Sequence, residues 1–197
     1  LNPSIKNNLG KIWDQYPRYM TGEHYALLPH IANLIKCKRL VEIGTFMGCS
    51  AKSLLLNSDC NVITFDIIPF DNFKYSYLSD DDFKDSRLRQ IIADLSDINS
   101  FKKYQNLLME ADMFFIDGPK NYEFELVFLD LLINELEKKN KSTILIIDDI
   151  NVSTMKDIWN NIEHPKIMLD QIGHWSGTGL VIINLSLIHI SEPTRHC

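Results

Sequence analysis

Residues 41–50, VEIGTFMGCS, connect two apolar runs of the chain. The first run predicts a buried strand over residues 39–43, and the second predicts a helix over residues 50–56. Gly44 and Gly48 lie between them, four positions apart. A strand, a glycine turn and a helix in direct succession predict the first unit of a nucleotide-type pocket.

The two glycines suit a ligand that approaches the backbone closely. Gly44 has no Cβ, so its φ angle can be positive and a ligand can lie against its backbone. Gly48 allows the helix to start tight against the strand, and the free N–H groups at that helix start favour a carboxylate. The spacing differs from the G-x-G-x-x-G of dinucleotide enzymes. An ordinary strand-to-helix turn with packing glycines is the alternative.

Four further predicted strands carry acidic residues at or near their carboxyl ends. The strands are predicted at residues 61–66, 89–94, 112–118 and 143–149, with the acids Asp66, Asp94, Asp117, Asp148 and Asp149. Because the carboxyl ends of parallel strands meet at one edge of a sheet, these side chains are expected to surround a ligand. Asp66 follows the glycine turn by about 20 residues, where a ribose-binding carboxylate is expected. Taken singly, each aspartate could equally form a turn or cap a helix.

Strands and helices alternate along the chain, which implies an α/β fold with a parallel sheet. Helices are predicted at residues 3–20, 23–37, 97–109 and 122–138, and the last two strands at residues 166–171 and 179–183. Residues 67–88 interrupt the alternation with aromatic and acidic side chains. They form either a lid over the site or a solvated loop with a short helix.

The pattern E-x-G-x-x-x-G-x-S, from Glu42 to Ser50, resembles motif I of class I S-adenosylmethionine (SAM) dependent methyltransferases. The resemblance extends over residues 20 to about 184 and is closest to the catechol O-methyltransferase-like group. It implies a Rossmann-like three-layer α/β sandwich, whose mostly parallel seven-stranded sheet has an antiparallel last strand. It also implies transfer of a methyl group from SAM to the hydroxyl of a small molecule.

The resemblance places SAM against the glycine turn and the neighbouring strand ends. In the family, the position of Asp94 lies beside the adenine, while Glu42 is expected to anchor the loop or to meet the cofactor's ammonium. An N-terminal stretch covers SAM in catechol-type enzymes, so Met20 is expected to touch the cofactor, with a helix-to-helix turn as the alternative. The residues implied in cofactor binding are Met20, Glu42, Gly44, Thr45, Phe46, Gly48, Ser50, Asp66, Ile67, Asp94, Leu95 and Asp117.

A divalent metal site is also implied by the resemblance. Catechol-type enzymes hold Mg²⁺ with oxygen ligands from the ends of the fourth and fifth strands, and the matching residues here are Asp117, Asp148 and Asp149. The family has Asp-Asn after the fifth strand, whereas this chain has Asp-Asp, as in macrocin-type O-methyltransferases. The alternative is that Asp148 and Asp149 only begin or cap the next segment of the chain.

Three residues are candidates for catalysis: Asp117, Lys120 and His174. Lys120 follows Asp117 in the D-x-x-K spacing of the catechol-type catalytic lysine. A lysine base needs a lowered pKa, and nearby aspartates would instead raise it unless a metal neutralised them. His174 could orient a substrate or act as a base, and Trp175 beside it could stack on a ring. The alternatives are a surface lysine and a structural hairpin turn.

Composition supports one globular domain over residues 1–184, with N-terminal helices in 1–37. Hydrophobic residues make up 45% of the chain, and 26 acidic against 20 basic residues give a net charge of −6. This balance argues against nucleic-acid binding, and no apolar run reaches transmembrane length. The expected partner is a small-molecule acceptor, the expected location is cytoplasmic, and a homodimer remains open.

The segment at residues 185–197 is expected to be foreign to the domain, because LSLIHISEPTR resembles the in-frame translation of a sequencing adapter. No function is therefore assigned to it. Two rival functions remain open for the domain. One is a metal-independent methyltransferase acting on nitrogen or carbon, and the other is a non-catalytic SAM-binding module.

Overall fold

Seven strands form one sheet in the computed structural model, which describes residues 24–84, 86–169 and 176–184. The strands are β1 (Arg39–Ile43), β2 (Asn61–Asp66), β3 (Leu88–Ile92), β4 (Met113–Ile116), β5 (Thr143–Asp148), β6 (Lys166–Met168) and β7 (Thr178–Ile183). Their order is β3-β2-β1-β4-β5-β7-β6, and the first five are mutually parallel. β7 runs antiparallel to both β5 and β6. The predicted mostly parallel sheet with an antiparallel last strand is confirmed.

Helices cover both faces of this sheet. They are α1 (His24–Leu34), α2 (Cys49–Asn57), α3 (Asp80–Lys84), α4 (Ile98–Met109), α5 (Glu123–Lys138) and α6 (Ser153–Asn161), with a short 3₁₀ helix at Phe70–Asn72. α4, α5 and α6 contribute to the core on one face, and α1 and α2 to the core on the other. Successive residues of β4 point alternately into these two cores, since Phe114 belongs to the first core and Phe115 to the second. The predicted three-layer sandwich is therefore confirmed.

Most predicted elements occur with small shifts in their ends. β1 and β2 have the predicted bounds, whereas β3, β4 and β5 stop earlier than the runs of apolar residues suggest. Asp94, Asp117 and Asp149 consequently lie just past the strands, in the turns at the carboxyl edge. A residue in a turn can direct its side chain across the edge of the sheet more freely than a residue whose backbone is paired in a strand.

Residues 67–84 pack on the body of the domain. The rings of Phe70 and Phe83 lie 4.6 Å apart, and Leu78 is 4% exposed. Lys52 on α2 pairs with Asp82, their Nζ and Oδ1 atoms 2.5 Å apart. The segment thus contains the short helix that was predicted together with a solvated loop, at Asp80–Lys84. It also contributes side chains to the cleft described below.

Several predictions concern residues outside the part of the chain that the structure describes. They are the helix at 3–20, the cofactor contact of Met20, the roles of His174 and Trp175, and the tail at 185–197. Among the residues that are described, no helix is long and apolar enough to cross a bilayer.

Candidate active site

A cleft of about 840 Å³ opens at the carboxyl edge of the sheet. Its lining comes from the segments after β1, β2, β3 and β4 and from the start of α5. The strand order reverses at β1, which lies between β2 and β4, and open α/β sheets bind ligands at such a point. The volume falls in the range of small-molecule and cofactor pockets. Predicted cofactor residues in the lining are Gly44, Phe46, Asp66, Ile67, Asp94, Leu95 and Asp117.

The glycine turn after β1 has a backbone that only glycine accepts easily. Gly44 has φ +97°, and a Cβ there would lie 2.0 Å from the carbonyl oxygen of Asp117. Gly48 has φ +79°, and a Cβ there would lie 2.3 Å from the side chain of Leu78. Both positions therefore combine a left-handed backbone with close packing. The turn brings β1 and the end of β4 into direct contact at the floor of the cleft.

Asp66 connects the turns after β1 and β2. Its Oδ2 accepts a hydrogen bond of 2.8 Å from the Phe46 backbone N–H, and its Oδ1 accepts one of 3.0 Å from Ile68. A carboxylate has about four acceptor positions, so each oxygen can still accept from a ligand hydroxyl. The Phe46 side chain is 56% exposed and meets Phe73 edge to face at 4.9 Å. The two backbone hydrogen bonds thus orient the Asp66 carboxylate in the lining of the cleft without any ligand.

Asp94 is similarly fixed on the far side of the cleft. Its Oδ1 accepts hydrogen bonds from the Ser96 backbone N–H at 2.9 Å and from the Ser96 hydroxyl at 2.6 Å. Leu95 is almost fully buried beside it, and Ile67 is largely exposed across the cleft. A flat apolar ring with polar edges could contact the apolar side chains of Leu95 and Ile67 and the polar side chain of Asp94 here.

Four predicted cofactor residues are buried and absent from the lining of the cleft: Glu42, Thr45, Gly48 and Ser50. Glu42 is fully buried and accepts a hydrogen bond from the Ser50 hydroxyl, while its Oε2 has no hydrogen-bond partner among the described residues. Thr45 and Thr64 share a hydrogen bond of 2.7 Å. These four predicted cofactor residues therefore form part of the turn or support it from below.

Burial raises the pKa of Glu42 from its ordinary value of 4.5 to about 7. The nearby hydroxyls of Ser50 and Thr64 oppose this shift, and the charges of Asp117 and Asp66 add to it. The native protein therefore binds this proton more tightly than the unfolded chain does.

Glu42→Gln is expected to flatten the pH dependence of stability between about pH 4.5 and pH 7. In that window the native state holds a proton that the unfolded state has released, so wild-type stability falls as the pH rises through the native pKa of about 7. At about 1.4 kcal/mol per pKa unit, the loss from this group is on the order of 3 kcal/mol. Denaturant unfolding at several pH values measures it. Equal pH slopes in both proteins would contradict the buried, protonated state.

Asp117, Asp148 and Asp149 form a second cluster, called here the acidic triad. One carboxylate oxygen from each lies within 4.8 Å of the others. The Ser176 hydroxyl donates to Asp149, and the Thr178 hydroxyl lies 3.4 Å from Asp148 Oδ1. Burial raises the pKa of Asp148 to about 7, and the charges of Asp117 and Asp149 contribute. Three carboxylate donors this close together fit the oxygen coordination that Mg²⁺ prefers.

Lys120 lies against this triad. Its Nζ contacts Asp117 Oδ1 and lies 3.1 Å from Asp149 Oδ2. Burial lowers the pKa of Lys120, but Asp117, Asp149 and Asp148 together raise it above its ordinary value. Lys120 is therefore a partly buried cation in this arrangement, and the lowered pKa that a general base requires is not found here.

Five further residues shape the site without having been predicted. They are His24, Glu125, Thr154, Ser176 and Thr178. The Nε2 atom of His24 lies 3.7 Å from Asp148 Oδ2, with both side chains buried. The only local sequence signal among them is Glu125, an acid in the first turn of a helix, where capping-box residues occur. The others reach the site through tertiary packing.

Comparison with known proteins supports the fold but finds no relative by sequence. No family model and no curated protein sequence matches this chain. A solved structure from Staphylococcus aureus, described as a caffeoyl-CoA O-methyltransferase, is 17% identical, with a TM-score of 0.58 over 92% of this chain and 93% of its own. An S-adenosylhomocysteine-bound methyltransferase from Podospora anserina is 14% identical, with a TM-score of 0.54 over 93% and 88%. These likenesses show a Rossmann-like fold, which this chain shares with solved structures of methyltransferases.

Proposed function

We propose that this protein is a SAM-dependent methyltransferase that methylates the hydroxyl of a small molecule with the help of a divalent cation. The observation that carries the proposal is the junction of two sites at Asp117. Its backbone packs on Gly44 at the cofactor cleft, and its carboxylate belongs to the acidic triad. A methyl donor in the cleft and an acceptor oxygen at the triad would therefore be neighbours. Solved structures of similar fold that are described as O-methyltransferases agree with this chemistry.

The cleft offers a distinct environment to each part of SAM. Asp66 would accept hydrogen bonds from the ribose hydroxyls, and Asp94, Leu95 and Ile67 would contact the adenine. The methionyl end would then lie over Gly44, toward the triad. In this placement Glu42 supports the turn from below.

Methyl transfer is mainly a matter of position, since the sulfonium methyl is already electrophilic. As the new C–O bond forms and the S–C bond of SAM breaks, S-adenosylhomocysteine leaves and the acceptor hydroxyl gives up its proton to the surrounding water. Asp117, Asp148 and Asp149 are the residues that would hold a divalent cation, which supplies Lewis acidity to the acceptor oxygen when bound. The half-buried ring of Phe124 lines the cleft and suits the carbon skeleton of an acceptor.

One observation favours a metal-independent alternative. Lys120 already places a positive charge against Asp117 and Asp149. An ammonium in that place could orient an acceptor without a metal.

Transfer of a ¹³C-labelled methyl group from SAM tests the proposal and separates its rivals. The full chain would be incubated with labelled SAM, Mg²⁺ and a panel of acceptors that offer phenolic hydroxyls, sugar hydroxyls, amines or nucleophilic carbon atoms, and products would be detected by NMR. The proposal predicts a labelled methyl ether that disappears in EDTA. A product that persists in EDTA supports the metal-independent enzyme, and SAM binding without any transfer supports the non-catalytic module.

Asp66→Ala is expected to weaken binding of the demethylated product, S-adenosylhomocysteine, by about 1–3 kcal/mol, the scale of charge-assisted bonds to the ribose. The backbone bonds from Phe46 and Ile68 would also be lost, so the turn would be less ordered. Calorimetric titration measures the change. Asp59→Ala, an exposed aspartate before β2, is the matched control and should bind normally. Unchanged affinity in Asp66→Ala would remove this residue from the site.

A further inference from the structure

The Lys120 ammonium occupies carboxylate oxygens that a divalent cation would use. Its Nζ contacts Asp117 Oδ1 and lies 3.1 Å from Asp149 Oδ2. The Lys120 side chain is only 16% exposed, and those of the two aspartates are 23% exposed. This is a partly desolvated contact between one positive and two negative groups, which solvent screens less than it screens a surface ion pair.

The backbone of Lys120 is fixed from two sides. Glu125, which is fully buried, accepts a hydrogen bond of 2.7 Å from the Lys120 N–H and one of 3.2 Å from the Tyr122 N–H. Thr154 Oγ1 lies 3.2 Å from the Lys120 carbonyl oxygen and donates to it. The φ angle of Lys120 is +56°, a conformation that these contacts stabilise. The loop therefore delivers the ammonium to a set place, and only the side-chain torsions are free to move it.

A divalent cation and this ammonium carry like charges and compete for the same carboxylate oxygens. Mg²⁺ binds carboxylate oxygens at about 2.0–2.1 Å and demands near-octahedral geometry. An ammonium that bridges Asp117 and Asp149 lies where such an ion would need to approach both of them. Repulsion between the two cations would thus weaken binding of the ion or drive the Lys120 side chain away while its backbone stays in place.

We propose that Lys120 is a built-in competitor that lowers the cation affinity of the acidic triad. This inference rests on the metal site of the proposed function. Without a cation, Lys120 offsets part of the repulsion among the three carboxylates and stabilises the empty triad. With a cation, the ammonium is released from Asp117 and Asp149 and is free to meet an acceptor group. Lys120 is therefore a residue that sets the affinity of the site for the ion.

Titration of Mn²⁺ into chelator-treated full chain tests the competition, with calorimetry as the readout. Lys120→Met keeps the length of the side chain and removes its charge, so Mn²⁺ should bind about tenfold more tightly, the scale of one partly buried ion pair. Lys120→Arg keeps the charge and should stay close to the wild type. Lys102→Met, at an exposed position on α4, is the matched control and should bind as the wild type does. Should Lys120→Met fail to fold, Lys120→Gln serves the same purpose.

A thermal melt without metal gives an independent readout. Lys120→Met should melt below the wild type in chelator and should gain more from Mn²⁺, because the uncompensated triad is then neutralised by the ion.

Each outcome of the titration decides a different claim. Tighter binding by Lys120→Met, or binding by that variant alone, supports the competition. If the wild type binds Mn²⁺ and Lys120→Met binds it equally or more weakly, the proposed competition is wrong. The metal-assisted function is then still supported. An absence of Mn²⁺ binding in every folded variant overturns the metal site and the competition together.

Discussion

Gly44→Ala is expected to lower the free energy of unfolding by about 2–5 kcal/mol, the sum of a left-handed backbone penalty and an overpacking cost. The added Cβ would lie 2.0 Å from the Asp117 carbonyl oxygen, far inside van der Waals contact. Neither strand can easily retreat, because the Gly44 N–H donates to the Phe65 carbonyl at 2.8 Å and the Asp117 N–H donates to the Ile43 carbonyl at 2.8 Å. Denaturant unfolding measures the loss.

Gly48→Ala is the matched comparison for this prediction. It also has a positive φ, but its added Cβ would meet the side chain of Leu78 instead of backbone. A leucine side chain can rotate away at lower cost, so the loss should be smaller than in Gly44→Ala. A stable Gly44→Ala protein, or the reverse order of the two variants, would mean that the turn is looser than the contact with Asp117 indicates.

Asp117→Ala is expected to abolish the rise in melting temperature that Mg²⁺ gives the wild type. An ion that binds only the native state stabilises it by about 2.7 kcal/mol at a hundredfold excess over its dissociation constant. Asp117 supplies one of the three carboxylates of the triad, and two carboxylates without it form a poorer oxygen cage. Asp148→Asn keeps an oxygen ligand and should reduce the rise without removing it.

Asp130→Ala, at an exposed position on α5, is the control and should keep the full response to Mg²⁺. The melts would be recorded with S-adenosylhomocysteine present. If neither Mg²⁺ nor Mn²⁺ raises the melting temperature of the wild type, the metal-assisted mechanism is contradicted. If Asp117→Ala keeps the full rise, the ion binds at another place in the protein.

The sheet could be predicted because its signals are local. The apolar run before Gly44 and the acid at the end of each later run specify strands whose carboxyl ends must meet at one edge. The same rule predicts that Asp117, Asp148 and Asp149 lie close together, as they do in the structure. Features that depend only on strand order and on the period of the apolar residues are therefore accessible from the sequence.

Contacts that depend on tertiary packing were less accessible. Nothing local shows that Glu42 lies wholly beneath the cleft, since an acid next to a glycine turn could equally face a ligand. The contact of Thr154 with the backbone of Lys120 joins positions 34 apart in sequence, although the other partner of that backbone, Glu125, is only five positions away. His24 approaches Asp148 only because α1 packs on the sheet. Such contacts require the three-dimensional arrangement of elements as well as their identity.

Calorimetric titration of S-adenosylhomocysteine into the full chain decides whether the cleft above Gly44, bounded by Asp66 and Asp94, is a site for SAM and its product. One saturable site is expected in the wild type and in Asp59→Ala, with clearly weaker binding in Asp66→Ala. A folded wild type that binds no S-adenosylhomocysteine would contradict the assignment of this cleft to the cofactor.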